Sequence, residues 1–149
     1  MVLAAQRNQV TDRGRRRMAG ALLTGAALLV GYWAAWLLDR SLLASDTRPA
    51  YHEFQAAFAL ADAWLAFCLV AAARALAGRR PTALLWLLAA GGAGGFLLAV
   101  DVLYNLQHGV WFASGRGQAE LLRNLATGAG TVGLFVWSWP RRAELLAAD

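Results

Sequence analysis

Four long apolar runs constrain this chain more than any other feature. They cover residues 18–38, 54–73, 82–106 and 121–139. Each approaches the ~20 residues that a helix needs to cross a bilayer's hydrocarbon core. Hydrophobic residues make up 59% of the 149 positions, beyond the usual range of soluble domains. All three prolines act as punctuation: Pro49 precedes the second run, Pro81 opens the third and Pro140 ends the fourth. A proline inside a span would remove a backbone hydrogen bond, and none stands there. The first run has the basic flank of a signal peptide, but its apolar stretch is too long and no convincing A-x-A site follows. The expectation is an all-α fold: an integral membrane four-helix bundle forming a single transmembrane domain over 1–149. Residues 1–17 form a basic tail, and both Met1 and Met18 are candidate starts.

Orientation follows from the basic residues, all fourteen of which are arginine. Arg7, Arg13, Arg15, Arg16 and Arg17 precede the first run, Arg74, Arg79 and Arg80 follow the second, and Arg141 and Arg142 follow the fourth. The opposite side carries only Arg40, Arg48 and Arg116, with Arg123 just inside the last run. The positive-inside rule then predicts a multi-pass protein of the bacterial plasma membrane with both termini cytoplasmic. A lysine-free composition rich in Ala, Gly, Leu and Trp fits a GC-rich bacterial genome. The net charge of +5 flanks apolar segments instead of forming a patch, which argues against a nucleic-acid partner. A lone cysteine, Cys68, excludes C-x-x-C redox chemistry.

Small residues predict how the helices meet. The stretch AAGGAGG (89–95) contains a G-x-x-x-G spacing, and GAGTVG (128–133) matches G-x-G-x-x-G. The latter binds dinucleotides only after a strand and within a βαβ unit. Inside an apolar helix it reads as close helix packing.

The polar residues of the runs are few and aligned. At 100° per residue, Asp101, Asn105 and His108 lie within about 60° of one another on the third helix. Tyr51, Gln55 and Asp62 share a face of the second. Glu120, Asn124, Thr127 and Thr131 form a stripe on the fourth. Counting depth along each helix puts nearly all of these groups in the outer half, with Asp62 deepest, roughly 12–15 Å below Glu53. A charged aspartate at mid-membrane costs roughly 2.5–3.5 kcal/mol, so Asp62 is expected to face Asp101, Asn105 or the fourth-helix stripe. Interhelical hydrogen bonding alone would account for Asp101 and Asn105. Arg123 either pairs with Glu120 at i+3 or neutralises Asp101.

The stretches FALADAWLAF and DVLYNLQHG resemble those of small, uncharacterised four-span bacterial membrane proteins. Their F-x-x-A-D matches Phe58 to Asp62 and their D-x-x-x-N-x-x-x-G matches Asp101, Asn105 and Gly109. The resemblance covers about half the chain and implies no particular activity. Trimeric glutathione-utilising membrane enzymes have a similar length and four spans, but their Arg- and Asn-bearing second helix is missing here.

Three functions remain open. In the first, an outer-half pocket takes a lipophilic small molecule or membrane lipid, lined by Gln55, Phe58, Trp64, Tyr104, Asn105, His108 and Asn124. Asp62 or Asp101 then acts as general acid for isomerisation or cyclisation of an isoprenoid-like substrate, with aromatic faces stabilising a developing cation. In the second, the chain is a non-catalytic assembly or lipid-binding subunit. In the third, the carboxyls relay protons or cations, and a homo-oligomer supplies the polar step that the inner half lacks. No cofactor and no metal site is expected.

Overall fold

The structure, a computed structural model, describes residues 11–44, 48–113 and 115–147. Arg7, part of the basic tail, lies outside the described residues. Four long helices account for most of the chain: α1 (Asp12–Leu38), α2 (Pro49–Ala77), α3 (Thr82–Gln107) and α4 (Gly115–Ser138). No strand occurs among the described residues. GAGTVG therefore lies within a helix, without the strand a dinucleotide site needs.

Helix ends follow local chemistry. Thr11, extended at φ −64° and ψ 152°, accepts the Gly14 amide on its side chain at 3.1 Å. This N-cap starts α1 six residues before Met18 and draws the arginine cluster into the helix. Asp39 breaks α1 in an extended conformation and caps the one-turn helix Arg40–Leu43. Its Oδ1 accepts the Ser41 amide at 2.9 Å and the Ser41 hydroxyl at 2.6 Å. Both bonds favour the ionised form and hold this exposed carboxyl below its ordinary value. Pro49 occupies the first position of α2, where its missing N–H is harmless.

At the other end of α2, Arg79 N–H donates to Leu76 O and Arg80 N–H to Ala75 O. That double closure is a Schellman motif. Its left-handed position, φ 50°, is held by Arg79, whereas Gly109 takes the corresponding role after α3 at φ 63°.

The long helices pack in chain order, α1 on α2, α2 on α3 and α3 on α4. One end of this array is aliphatic and small. Ala19, Leu22 and Ala26 meet Cys68, Leu69, Ala72 and Leu76, which in turn meet Ala83, Leu87 and Ala90. After a 3-10 turn at Trp139–Arg141, the short helix Arg142–Leu146 folds back onto α3 and seats Leu145 in that core. The other end is aromatic, built on Trp36, Ala44 and Tyr51 with Tyr32, Trp33 and Tyr104.

Close approach between α3 and α4 depends on absent side chains. A Cβ on Gly94 would lie 2.8 Å from Thr131 Oγ1. Gly117 of α4 lies instead against the one-turn helix Val110–Ala113, where a Cβ would overlap the Val110 carbonyl oxygen.

Three helices, α1, α2 and α3, are long and apolar enough to cross a membrane. Their outward residues are apolar too: Leu28 is 69% exposed, Leu60 83% and Phe96 69%. Such surface is compatible with lipid and unusual in water. Helix α4 is long but less apolar, because Glu120, Arg123 and Asn124 stand in its first half and Gly and Thr in its middle.

Candidate functional site

The polar groups gather where α1 and α3 end and α2 and α4 begin. On α2, Gln55 Nε2 donates to the Tyr51 hydroxyl one turn earlier, at 3.2 Å. Both side chains are buried. Tyr104 of α3 stacks on Phe54, with ring centroids 3.9 Å apart and planes 11° apart. Phe58 packs edge-on against Phe54 at 4.8 Å, which extends this aromatic wall down α2.

Helices α3 and α4 meet through ionisable groups. Asp101 lies within electrostatic reach of Glu120, Asn124 and Arg123. Arg123 donates to Glu120, which is 3% exposed. The same guanidinium lies over the Tyr32 ring, 5.3 Å from its centroid, and so reaches α1. Asn124 Nδ2 donates to the Glu120 carbonyl at 2.9 Å. Two carboxyls and one guanidinium therefore lie close together, with Glu120 buried and Asp101 and Arg123 partly so, where reduced screening strengthens each interaction.

Asn105 stands one turn beyond Asp101 on α3. It is fully buried, and neither Nδ2 nor Oδ1 has a hydrogen-bond partner. A buried amide left this way loses its hydration without compensation, about 1–3 kcal/mol for each unsatisfied group.

The other expected residues differ in their surroundings. Asp62 is half-buried, and its Oδ2 accepts from Trp33 Nε1 of α1 at 2.9 Å. The two aspartates thus have different partners: Trp33 for Asp62, and α4 for Asp101. His108 is exposed, stacks on Tyr104 at 4.2 Å and bonds through Nδ1 to the Tyr104 carbonyl at 2.9 Å. Trp64 is 51% exposed and belongs to a surface group with Phe67 and Trp86. Of the fourth-helix stripe, Glu120 and Asn124 are buried, Thr131 abuts Gly94 and Thr127 is exposed. No group of three or more His, Cys, Asp or Glu suited to a metal occurs among the described residues.

Tyr32, Trp33, Tyr51, Phe54, Glu120 and Arg123 are the participants beyond the expected lining and acids. Glu120 and Arg123 carried a local signal, since an acid and an arginine at i, i+3 with Asn124 adjoining share one side of α4. Trp33 had none, because an indole near a segment end reads as an interfacial anchor.

Comparison with protein-family models, curated proteins and solved structures finds no match for this chain. Fold and site by themselves define the class: an all-helical protein with membrane-compatible helices and an enclosed polar cluster at one end.

Proposed function

We propose that the chain is a four-span protein of the bacterial plasma membrane, with both termini cytoplasmic, that binds a lipophilic small molecule at its outer, polar end. The orientation rests on Arg13, Arg15, Arg16, Arg17, Arg74, Arg79, Arg80, Arg141 and Arg142, which the chain order assigns to one side. Helix α4 is read as the fourth span because it packs along α3 and turns Leu122, Leu125, Val132 and Val136 outward.

Asn105 carries the ligand reading. An amide enclosed with donor and acceptor both idle is a place for a polar head group. Phe54, Phe58 and Tyr104 offer apolar surface for the body of the molecule.

The contact between Asp101 and Glu120 favours a catalytic extension of this reading. Two carboxyls brought close together disfavour double ionisation, so such a pair tends to keep one proton. Added to an alkene carbon at the expense of the π bond, or to an epoxide oxygen as a C–O bond breaks, that proton leaves a carbocation on an isoprenoid-type framework facing aromatic rings. Loss of a proton from the rearranged cation to the carboxylate restores the acid. Asp62, already bonded to Trp33, is the second candidate acid.

The test is the content of the purified protein. Lipids extracted from wild type, Asn105→Leu and Asp101→Asn are identified by mass spectrometry. A lipophilic compound retained by wild type and reduced about ten-fold in Asn105→Leu, equivalent to ~1.4 kcal/mol, supports the reading. Equal retention in all three leaves an assembly subunit. Proton flux in liposomes that Asp101→Asn abolishes points to transport.

A further inference from the structure

We infer that the arginine-bearing end carries a separate site for an anionic phospholipid, lying in a groove between the start of α1 and the end of α2. The inference rests on the proposed membrane insertion but not on the outer ligand site.

The groove is a cavity of about 380 Å³. Its rim holds Arg15, Arg16 and Arg79 against a single acid, Asp12. Arg79 is committed to Asp12 at 2.7 Å, a pairing that closes the groove at the chain turn after α2. No ion pair engages Arg15 or Arg16 with another of the described residues. Two guanidiniums thus face the opening with a net positive field, and guanidinium forks match phosphate oxygens.

The floor has a different character. Gly20, Leu23 and Leu76 line it, and Gly20 offers open space above its Cα, with nothing within 4 Å of an added Cβ. Leu23, 49% exposed, continues the apolar track along α1 toward the middle of the span. A phosphate group has use for the rim alone. A phospholipid uses both, with its phosphodiester at Arg15 and Arg16 and an acyl chain along Gly20 and Leu23. Basic pockets between spans at the cytoplasmic surface suit anionic head groups on this same physical ground.

The experiment reconstitutes the full chain in nanodiscs holding equal parts of phosphatidylglycerol and phosphatidylcholine. Native mass spectrometry then counts the lipids that stay bound. Preferential retention of phosphatidylglycerol is expected, falling about five-fold for each arginine removed in Arg15→Gln and Arg15→Gln/Arg16→Gln. Gly20→Leu keeps every charge but fills the floor, so it lowers phosphatidylglycerol retention as well. Circular dichroism and elution volume verify that each variant is folded.

Unchanged lipid preference in the double arginine variant overturns the site. Displacement of phosphatidylglycerol by millimolar inorganic phosphate also overturns it, because the groove is then a small-anion site. Release of the protein from carbonate-washed membranes overturns the membrane reading itself, a result that the lipid count does not mimic.

Discussion

The indole Nε1 of Trp33 donates to Oδ2 of Asp62 at 2.9 Å, joining α1 to α2. This bond gives a half-buried carboxyl its donor from a neighbouring span, not from the groups at the polar end. It also divides the acids into two independent sets, since Asp101 engages α4.

Trp33→Phe keeps an aromatic ring and deletes the donor. Hydrogen bonds to charged groups contribute about 1.5–3 kcal/mol, and solvent access to the half-buried pair lowers that toward ~1 kcal/mol. A double-mutant cycle of Trp33→Phe with Asp62→Leu, read by unfolding in mixed micelles, should show coupling of that size. Additivity of the two changes would show that the bond contributes nothing to stability.

Arg123 is the one cation among the acids of the α3–α4 contact, and Glu120 depends on it. Removing one partner of a buried pair is costly because the other charge stays behind. Arg123 keeps about a third of its side chain exposed, at 35%, so Arg123→Leu should destabilise by at most about 3 kcal/mol. The double variant Arg123→Leu/Glu120→Leu should recover most of the loss. Thermal unfolding of the three proteins in one detergent measures it, and a double variant worse than the single would refute the account.

Glycines separate by what surrounds them. Gly117→Ala drives a methyl group into the Val110 carbonyl, a backbone atom that cannot rotate away. Overpacking of this kind costs about 1–3 kcal/mol. Gly31 meets nothing within 4 Å, so Gly31→Ala should stabilise α1 by about 0.4–1 kcal/mol through the unfolded chain. Opposite signs in a paired thermal-shift measurement are the expected outcome.

Asp39 sets an acid limb at the end of α1. Its carboxyl is held below the ordinary value by the Ser41 amide and hydroxyl, so the folded state prefers it ionised. The contribution is complete above the unfolded pKa of about 3.9 and fades as pH falls through the lower folded value. The protection of the Ser41 amide, the slowing of its exchange relative to an unstructured amide at the same pH, should therefore fall in acid for the wild type. Asp39→Asn, still a good N-cap, should show no such loss as the pH falls below the ordinary carboxylate range.

Much of the architecture was legible along the chain because a bilayer-length apolar run needs no knowledge of its neighbours. Element bounds were less so. Helix α1 begins at Asp12 because Thr11 caps a stretch of good helix formers, and α4 begins at Gly115, where charges had masked the helix. The return helix Arg142–Leu146 is too short for periodicity to reveal, yet it buries Leu145 to 2%. Among the expected site residues, Gln55, Phe58, Tyr104, Asn105, Asn124 and Asp101 gather at the polar end. Trp64 instead turns to the surface.

By itself the sequence determined the helical class and the three helices long and apolar enough to cross a membrane, since hydropathy and periodicity are properties of the chain read residue by residue. Only the tertiary structure decided who partners whom. A face on a helix points to a neighbour only after that helix is rotated and docked, and the α3–α4 contact is set by glycines such as Gly94. Docking of α4 on α3 brings Asp101 near Glu120, docking of α1 on α2 gives Asp62 its Trp33 donor, and the packed bundle encloses Asn105 with its amide unanswered.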